Sequence, residues 1–298
     1  MGIEFRNVHK TYPNGTCAVT DFSLVVPTHT LTVLLGSSGS GKTTLLRTVN
    51  RMVTPSSGQV LIDDADTAEE NPVALRRRIG YVMQQSGLLP HRRVIDNIAT
   101  VPRLNGASRA AARRRAADLL DVVGLDAALA TRYPGQLSGG QQQRVGVARA
   151  LAGEPNILLM DEPFGSVDPL VRLELQREVK RIQTELQKTI VFVTHDIDEA
   201  LTLGDQIAVL RTGGRIAQVG TPREIVENPA DDFVARFLGL DGGRRTLRAT
   251  PHRTGGWSVT DSNGRPLGIL ESSPTPAADP HSVAPAAPGA PSRSAPDA

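Results

Sequence analysis

Apolar positions recur among polar ones at the start of the chain. Ile3, Phe5 and Val8 are apolar, and Ala18 to Val26 is a second strand-rich stretch. This pattern buries one face of a strand. Pro13-Asn14-Gly15 supplies the turn between the two stretches. The pattern then changes. LTVLLG (31–36) is a continuous apolar run, as in a strand covered on both faces, and leads through glycine-rich sequence to a helix over about 41–51. Arg78 to Gln84 reads as another strand. No strand pattern is visible from about 86 to 152. There Ser108 opens an Ala/Arg-rich helix towards Val123, and Ser138 opens a second that ends near Ala152. Strand–helix alternation resumes with NILLMD (156–161). Asp168-Pro169 then starts a long helix towards Leu186, and TIVFVTH (189–195) follows as a strand. IAVL (207–210) and RIAQVG (215–220) flank the hairpin signal Thr212-Gly213-Gly214, and Thr221-Pro222 opens a short helix.

After about residue 240 the pattern weakens. GWSVTDSNGRPLGIL (256–270) reads as a β-hairpin around Ser262-Asn263-Gly264, and from Ser272 the chain is rich in Pro, Ala and Ser, which predicts disorder. The expected organisation is a main domain over 1–240 with a helical subdomain at about 86–152, a hairpin appendage over 241–271, and a disordered tail over 272–298.

Composition narrows the function. With 298 residues, 39% of them hydrophobic, the chain can bury the core of one large α/β domain. A net charge of +2 gives no case for nucleic acid as a partner, and the single Cys17 excludes both a disulfide framework and a cysteine-rich metal site. No apolar run approaches the roughly 20 residues that cross a bilayer. MGIEFRN carries neither a signal-peptide nor a myristoylation pattern, so any membrane role is expected to come through a partner.

GSSGSGKT (36–43) matches G-x-x-x-x-G-K-[ST], with a strand before it and a helix after. Gly36, Gly39 and Gly41 let backbone N–H groups turn inward around phosphate oxygens, along a loop that also carries Ser37, Ser38 and Ser40. The helix N-terminus adds a favourable dipole. Lys42 places a point charge on the β/γ-phosphates, and Thr43, followed by Thr44, offers a hydroxyl to Mg²⁺. The competing reading is a flexible glycine-rich turn. ILLMDE (157–162) ends an apolar strand in two acids. Asp161 can hold Mg²⁺ beside Thr43, and Glu162 can orient the attacking water as a general base. The competing reading is a strand end in solvent; the phosphate loop tips the balance. In LSGGQQQR (137–144), Ser138 caps a helix whose Gly139 and Gly140 leave the first N–H groups bare, an anion-binding end. A chain with one phosphate loop has no second use for such an end on the same nucleotide. The simplest use is in trans, over the γ-phosphate held by another copy.

With these motifs in this order, the chain resembles the ATP-binding-cassette family of transporter ATPases over roughly residues 1–240, LSGGQ being that family's signature. The resemblance implies an α/β, P-loop NTPase core with an N-terminal antiparallel β-subdomain and an inserted α-helical subdomain. It implies ATP and Mg²⁺ as ligands, and a dimer in which each nucleotide lies between the Gly36–Thr43 loop of one subunit and Ser138–Gln141 of the other. Tyr12 matches the aromatic that stacks on adenine, and also reads as a turn tyrosine. Gln84, with Gln85 beside it, matches the glutamine that meets Mg²⁺ and the attacking water. Asp168 in GSVD (165–168) matches the aspartate that reaches the partner subunit, in a loop that often reads A-L-D, and is also a helix N-cap. His195 matches the switch histidine that contacts the γ-phosphate.

Several stretches are similar to the glycine betaine/carnitine/choline branch of importers: YVMQQSGLLPH (81–91), LSGGQQQRVGVARALA (137–152), VFVTHDIDEAL (191–201) and VGTPREIVENPADDFVARFLG (219–239). That branch implies uptake of a quaternary-amine osmoprotectant through a separate integral-membrane permease, fed indirectly by a solute-binding protein, with this chain peripheral on the cytoplasmic face. QQSGLLPHRRVIDNI (84–98) resembles the groove that receives the permease. Importers of other small solutes such as amino acids, and soluble relatives acting on protein or nucleic acid, are the alternatives. WSVTDSNGRPLGIL (257–270) looks like one strand pair of a cystathionine-β-synthase-type module, or is a hairpin without a regulatory role.

Overall fold

The computed structural model describes residues 2–165, 167–240, 247–251, 257–260 and 266–270. They divide into two units, Met1–Leu238 and Gly239–Ala298. The first unit opens with β1 (Ile3–Thr11), β2 (Cys17–Val26), β3 (Leu31–Gly36), α1 (Lys42–Val49), β4 (Ser57–Ile62) and β5 (Ala65–Asp66). β1 and β2 pair antiparallel with Ile3 opposite Val26 and Phe5 opposite Leu24, which puts the buried side chains on one face. With β4 and β5 they make an antiparallel sheet of order β2-β1-β4-β5. SGQVLI, the sequence of β4, has only three apolar residues behind a Ser-Gly start, and no strand is expected there from pattern alone.

The chain continues through α2 (Pro72–Arg77), β6 (Ile79–Val82), α3 (Val94–Ile98), α4 (Thr100–Leu104), α5 (Arg109–Val122), α6 (Gly139–Leu151), β7 (Ile157–Asp161), α7 (Pro169–Leu186), β8 (Thr189–Thr194), α8 (Ile197–Leu203), β9 (Gln206–Leu210), β10 (Ile216–Gly220), α9 (Pro222–Glu227) and α10 (Asp232–Phe237). The strand expected over 78–84 is shorter. Arg78 terminates α2, whose Asn71 cap accepts from the N–H groups of Val73 and Ala74, and Met83 and Gln84 leave the sheet. The central sheet runs β10-β9-β3-β8-β7-β6. Every neighbouring pair is parallel except β9–β10, so β3, β8, β7 and β6 present their C-terminal ends along one edge. β3, β7 and β8 are buried along their whole length. The helical segment between β6 and β7 folds around α5, which turns Ala112, Ala116, Leu119 and Leu120 inward.

One core joins the two sheets. Phe5 meets Phe22 edge-on at 5.1 Å, within a buried cluster that also holds Leu34, Leu45, Leu159 and Val191. The second unit contains β11 (Arg248–Pro251), β12 (Trp257–Thr260) and β13 (Pro266–Leu270) in an antiparallel sheet. The expected hairpin is thus the β12–β13 part of a three-stranded arrangement, whose first strand, RATP, carries too little apolar content to announce itself. The Ser262-Asn263-Gly264 turn and the 272–298 tail lie outside the described residues.

Candidate nucleotide-binding site

The parallel edge gathers the sequence motifs. The β3–α1 loop is the glycine cradle, the Asp161-Glu162 pair ends β7, and His195 follows β8, the strand that lies between β3 and β7. Gly41, the N-cap of α1, has φ +89°, and a Cβ there would stand 2.4 Å from the Ala18 carbonyl oxygen, so only glycine fits. Lys42 is 4% exposed and donates Nζ to the carbonyl oxygens of Gly36 and Ser37, each at 2.8 Å. Burial pushes its ammonium below the ordinary lysine range, against the pull of the Glu162 and Asp161 carboxylates. The cradle borders a cleft of about 510 Å³ that Thr16, Cys17, Glu162 and Gln84 also line.

Asp161 is almost fully buried and oriented at both oxygens. Thr43 Oγ1 donates to Oδ1 at 2.7 Å, and Tyr81 Oη donates to Oδ2 at 3.0 Å, with Arg47 Nη2 at 3.4 Å from the same oxygen. Burial raises the Tyr81 phenol above its usual range, and the Arg47 guanidinium opposes that. Neither Tyr81 nor Arg47 is signalled by a motif. Their positions, on β6 and on the last turn of α1, emerge only from the strand order.

Glu162 takes a backbone conformation unusual for its type, φ +44°, held by its N–H donating to the Val193 carbonyl at 3.0 Å. A non-glycine residue in the left-handed region costs about 1 kcal/mol or more. The turn lifts the carboxylate off β7 towards Gln84, whose Nε2 donates to Oε2 at 3.2 Å, and towards His195, whose Nδ1 lies 3.2 Å from the same oxygen. Two predicted residues thus converge on one oxygen of a third.

Ser138–Gln141 does not line the cleft beside the glycine cradle. Through Gly139 it borders a neighbouring cleft of about 540 Å³ with Ser86, Pro163 and Val167, and Gln84 lines both clefts. Its tip carries the cap expected at Ser138. Ser138 Oγ accepts from the N–H of Gln141 at 3.3 Å, and Gln141 Oε1 accepts from the N–H of Ser138 at 3.0 Å, a reciprocal capping box. The N–H groups of Gly139 and Gly140 lie outside that box. Gly140 is buried, and a Cβ there would meet Val171 Cγ1 at 2.4 Å, so this glycine is required by packing against α7. Asp168 caps α7, accepting from Val171 N–H at 3.1 Å. Tyr12 hydrogen-bonds Thr44 Oγ1 through its hydroxyl at 3.2 Å, which fixes it beside the first turn of α1. Arg149 donates to the carbonyls of Ser86 and Gly87, each at 2.7 Å, and so anchors the segment following Gln84. That role has no sequence signal.

The donor set fits a magnesium nucleotide. Thr43 and Asp161 offer hard oxygen atoms next to a cationic, glycine-bent loop. Among the described residues no group of three or more His, Cys, Asp or Glu could hold a metal ion.

The arrangement is that of an ATP-binding cassette, and the chain belongs to the ATP-binding-cassette transporter family. The family profile described as ABC transporter matches residues 19–165. The glycine betaine uptake system ATP-binding protein YehX of Escherichia coli is 48% identical over 237 residues, covering 80% of this chain and 76% of the relative. The carnitine transport ATP-binding protein OpuCA of Listeria monocytogenes is 46% identical over 261 residues, 88% of this chain, which spans 65% of that relative's length. The dimeric, post-hydrolysis cassette MJ0796 bound to ADP and Pi superposes with a TM-score of 0.68 at 34% identity, covering 74% of this chain and 99% of that one. Among the described residues no helix is long and apolar enough to cross a membrane.

Proposed function

We propose that the chain is the ATP-hydrolysing subunit of an importer for a quaternary-amine osmoprotectant, working as a dimer beneath a separate permease on the cytoplasmic face of the membrane. The observation that carries the enzymatic part is the convergence of Gln84 and His195 on Glu162 Oε2, next to the Lys42 cradle. Glu162 is the general base that orients water and accepts its proton. Gln84 and His195 fix the carboxylate, and His195 contacts the terminal phosphate. Lys42 exchanges its two carbonyl partners for phosphate oxygens. Thr43, Asp161 and Gln84 would hold Mg²⁺, which supplies charge neutralisation to the phosphates when bound.

A second copy completes the site. Ser138, Gly139, Gly140 and Gln141 of one subunit close over the γ-phosphate cradled by Gly36, Ser37, Ser38, Gly39, Ser40, Gly41, Lys42, Thr43 and Thr44 of the other. Asp168 reaches across, and Tyr12 stacks on the base. ATP binding closes the pair and hydrolysis releases it, a ligand-driven two-state cycle. The substrate class is supported by identities of 46–51% to curated carnitine, choline and osmoprotectant transport ATP-binding proteins.

The test is uptake in vesicles containing the chain with a co-purified integral-membrane permease, using radiolabelled glycine betaine, choline and carnitine against an amino-acid set. ATP-dependent accumulation of a quaternary amine is the expected result. Accumulation of amino acids alone would move the chain to another importer class. ATPase activity stimulated by nucleic acid would remove it from transport.

A further inference from the structure

One side chain joins the segment that ends in Asp168 to the segment that begins with His195. Arg172, in the first turn of α7, donates Nη1 to Asp196 Oδ2 at 3.2 Å and directs Nη2 at the Val167 carbonyl at 3.5 Å. Its Nε faces Glu199 Oε1 at 3.9 Å. Val167 directly precedes Asp168, and Asp196 directly follows His195. The anchors are themselves held. Asp196 Oδ1 caps α8 by accepting from the N–H groups of Asp198 and Glu199 at 2.9 and 3.1 Å. Thr194 Oγ1 donates to the buried Glu199 at 2.6 Å. The guanidinium backs a small cavity of about 50 Å³ that Glu162 and His195 also line.

We propose that Arg172 is a positioning residue for ATP hydrolysis. It locks the Val167–Asp168 segment and the His195–Asp196 segment into one fixed relation, so that the part of the chain facing the second subunit and the histidine facing the phosphate move as a unit. This rests on the function proposed above. The physical reason is the fork. A guanidinium is planar, always charged and meets two acceptors with two separate nitrogens at a fixed angle, whereas an ammonium must serve both from a single point. With a side chain only 30% exposed, its bonds to Asp196 and the carbonyl are less screened than those of surface pairs such as Arg223–Glu227, whose arginine is 83% exposed. Asp196 in turn fixes the peptide that follows His195, and His195 touches Glu162. An error in the Val167 segment therefore reaches the base through three side chains.

The experiment is steady-state ATP hydrolysis with Mg²⁺ by the full chain, comparing wild type, Arg172→Ala and Arg172→Lys, with a melting curve for each. Arg172→Ala is expected to lower kcat by about tenfold to a hundredfold while the KM for ATP stays within about twofold, because geometry and not nucleotide affinity is lost. Arg172→Lys keeps the charge but replaces two nitrogens in a fixed plane by one on a flexible stem, and is expected to recover only part of that loss. Should Arg172→Ala fail to fold, the Lys variant decides: wild-type kcat there overturns the proposal. So does an unchanged kcat in Arg172→Ala, or losses in both variants that simply follow melting temperature, which would make the ion pair a structural clamp. A wild-type chain with no ATP turnover overturns the proposed function and this inference together, whereas an active wild type with an insensitive Arg172 overturns only the inference.

Discussion

Glu162 Oε2 lies 3.2 Å from His195 Nδ1, although the two residues end different strands, β7 and β8. Neighbouring parallel strands bring them together, and the left-handed turn at Glu162 closes the remaining gap. The carboxylate therefore has a partner on each side, Gln84 and His195, and its function should depend on charge more than on shape.

Glu162→Gln tests that dependence. The amide keeps the size and can still bond Gln84, but cannot accept a proton. Phosphate release should fall by about 10²–10⁴-fold, with ATP binding retained and a stable ATP-bound dimer accumulating. Light scattering with ATP and Mg²⁺ reports the dimer. Hydrolysis at the wild-type rate would remove Glu162 from the role of base.

Thr43 and Asp161 share a hydrogen bond, so Thr43→Val removes an oxygen from the metal-binding pair while leaving the loop's glycines untouched. The Mg²⁺ concentration for half-maximal hydrolysis should rise several-fold. Nucleotide binding measured without magnesium should change little. Equal losses with and without the metal would show that the hydroxyl serves the loop and not the ion.

Gly140 and Val171 form a second testable pair. A methyl group at Gly140 would overlap Val171 Cγ1, so Gly140→Ala should destabilise the fold by about 1–3 kcal/mol. Val171→Ala in the same chain should restore part of it, a coupling that a double-mutant cycle in urea measures directly. Full additivity would mean that the two side chains do not meet.

Glu199 gives a pH signature. Burial pushes its carboxyl above the ordinary glutamate value of 4.5, opposed by the Thr194 hydroxyl. The native state therefore holds a proton that the unfolded chain has released. The stability this group confers is complete below the unfolded value and is lost as pH rises from about 4.5 through the raised native value. Glu199→Gln, neutral throughout, should flatten that part of the curve of unfolding free energy against pH. An identical slope in the variant would place the titration elsewhere.

The glycine loop, the paired acids and the capped helix at Ser138 are legible because turn, strand-end and cap chemistry fixes residue type and order along the chain, and His195 stands out through the family resemblance. Gly41 must be glycine for its φ, and Ser138 with Gln141 three residues on spells a capping box. What stayed hidden depends on tertiary neighbours. Tyr81 and Arg47 meet Asp161 across 80 and 114 residues, and Arg172 meets Asp196 across 24. Nothing in YVMQQ marks its tyrosine as a partner of a carboxylate two strand positions away in space. Gly140 has a further reason to be glycine that the sequence does not show, since α7 lies against it. The β4 and β11 strands escaped notice because SGQVLI and RATP carry little alternation of their own and borrow their order from neighbours.

Lys42 already spans the Gly36 and Ser37 carbonyls with its own charge. The bend of the loop is thus kept taut by an internal cation, as a tent pole holds fabric. An arriving triphosphate need only draw that cation across, without first organising a slack chain. Nucleotide exchange between strokes should then be limited by how fast the two halves of the machine part, and hardly at all by rebuilding the socket.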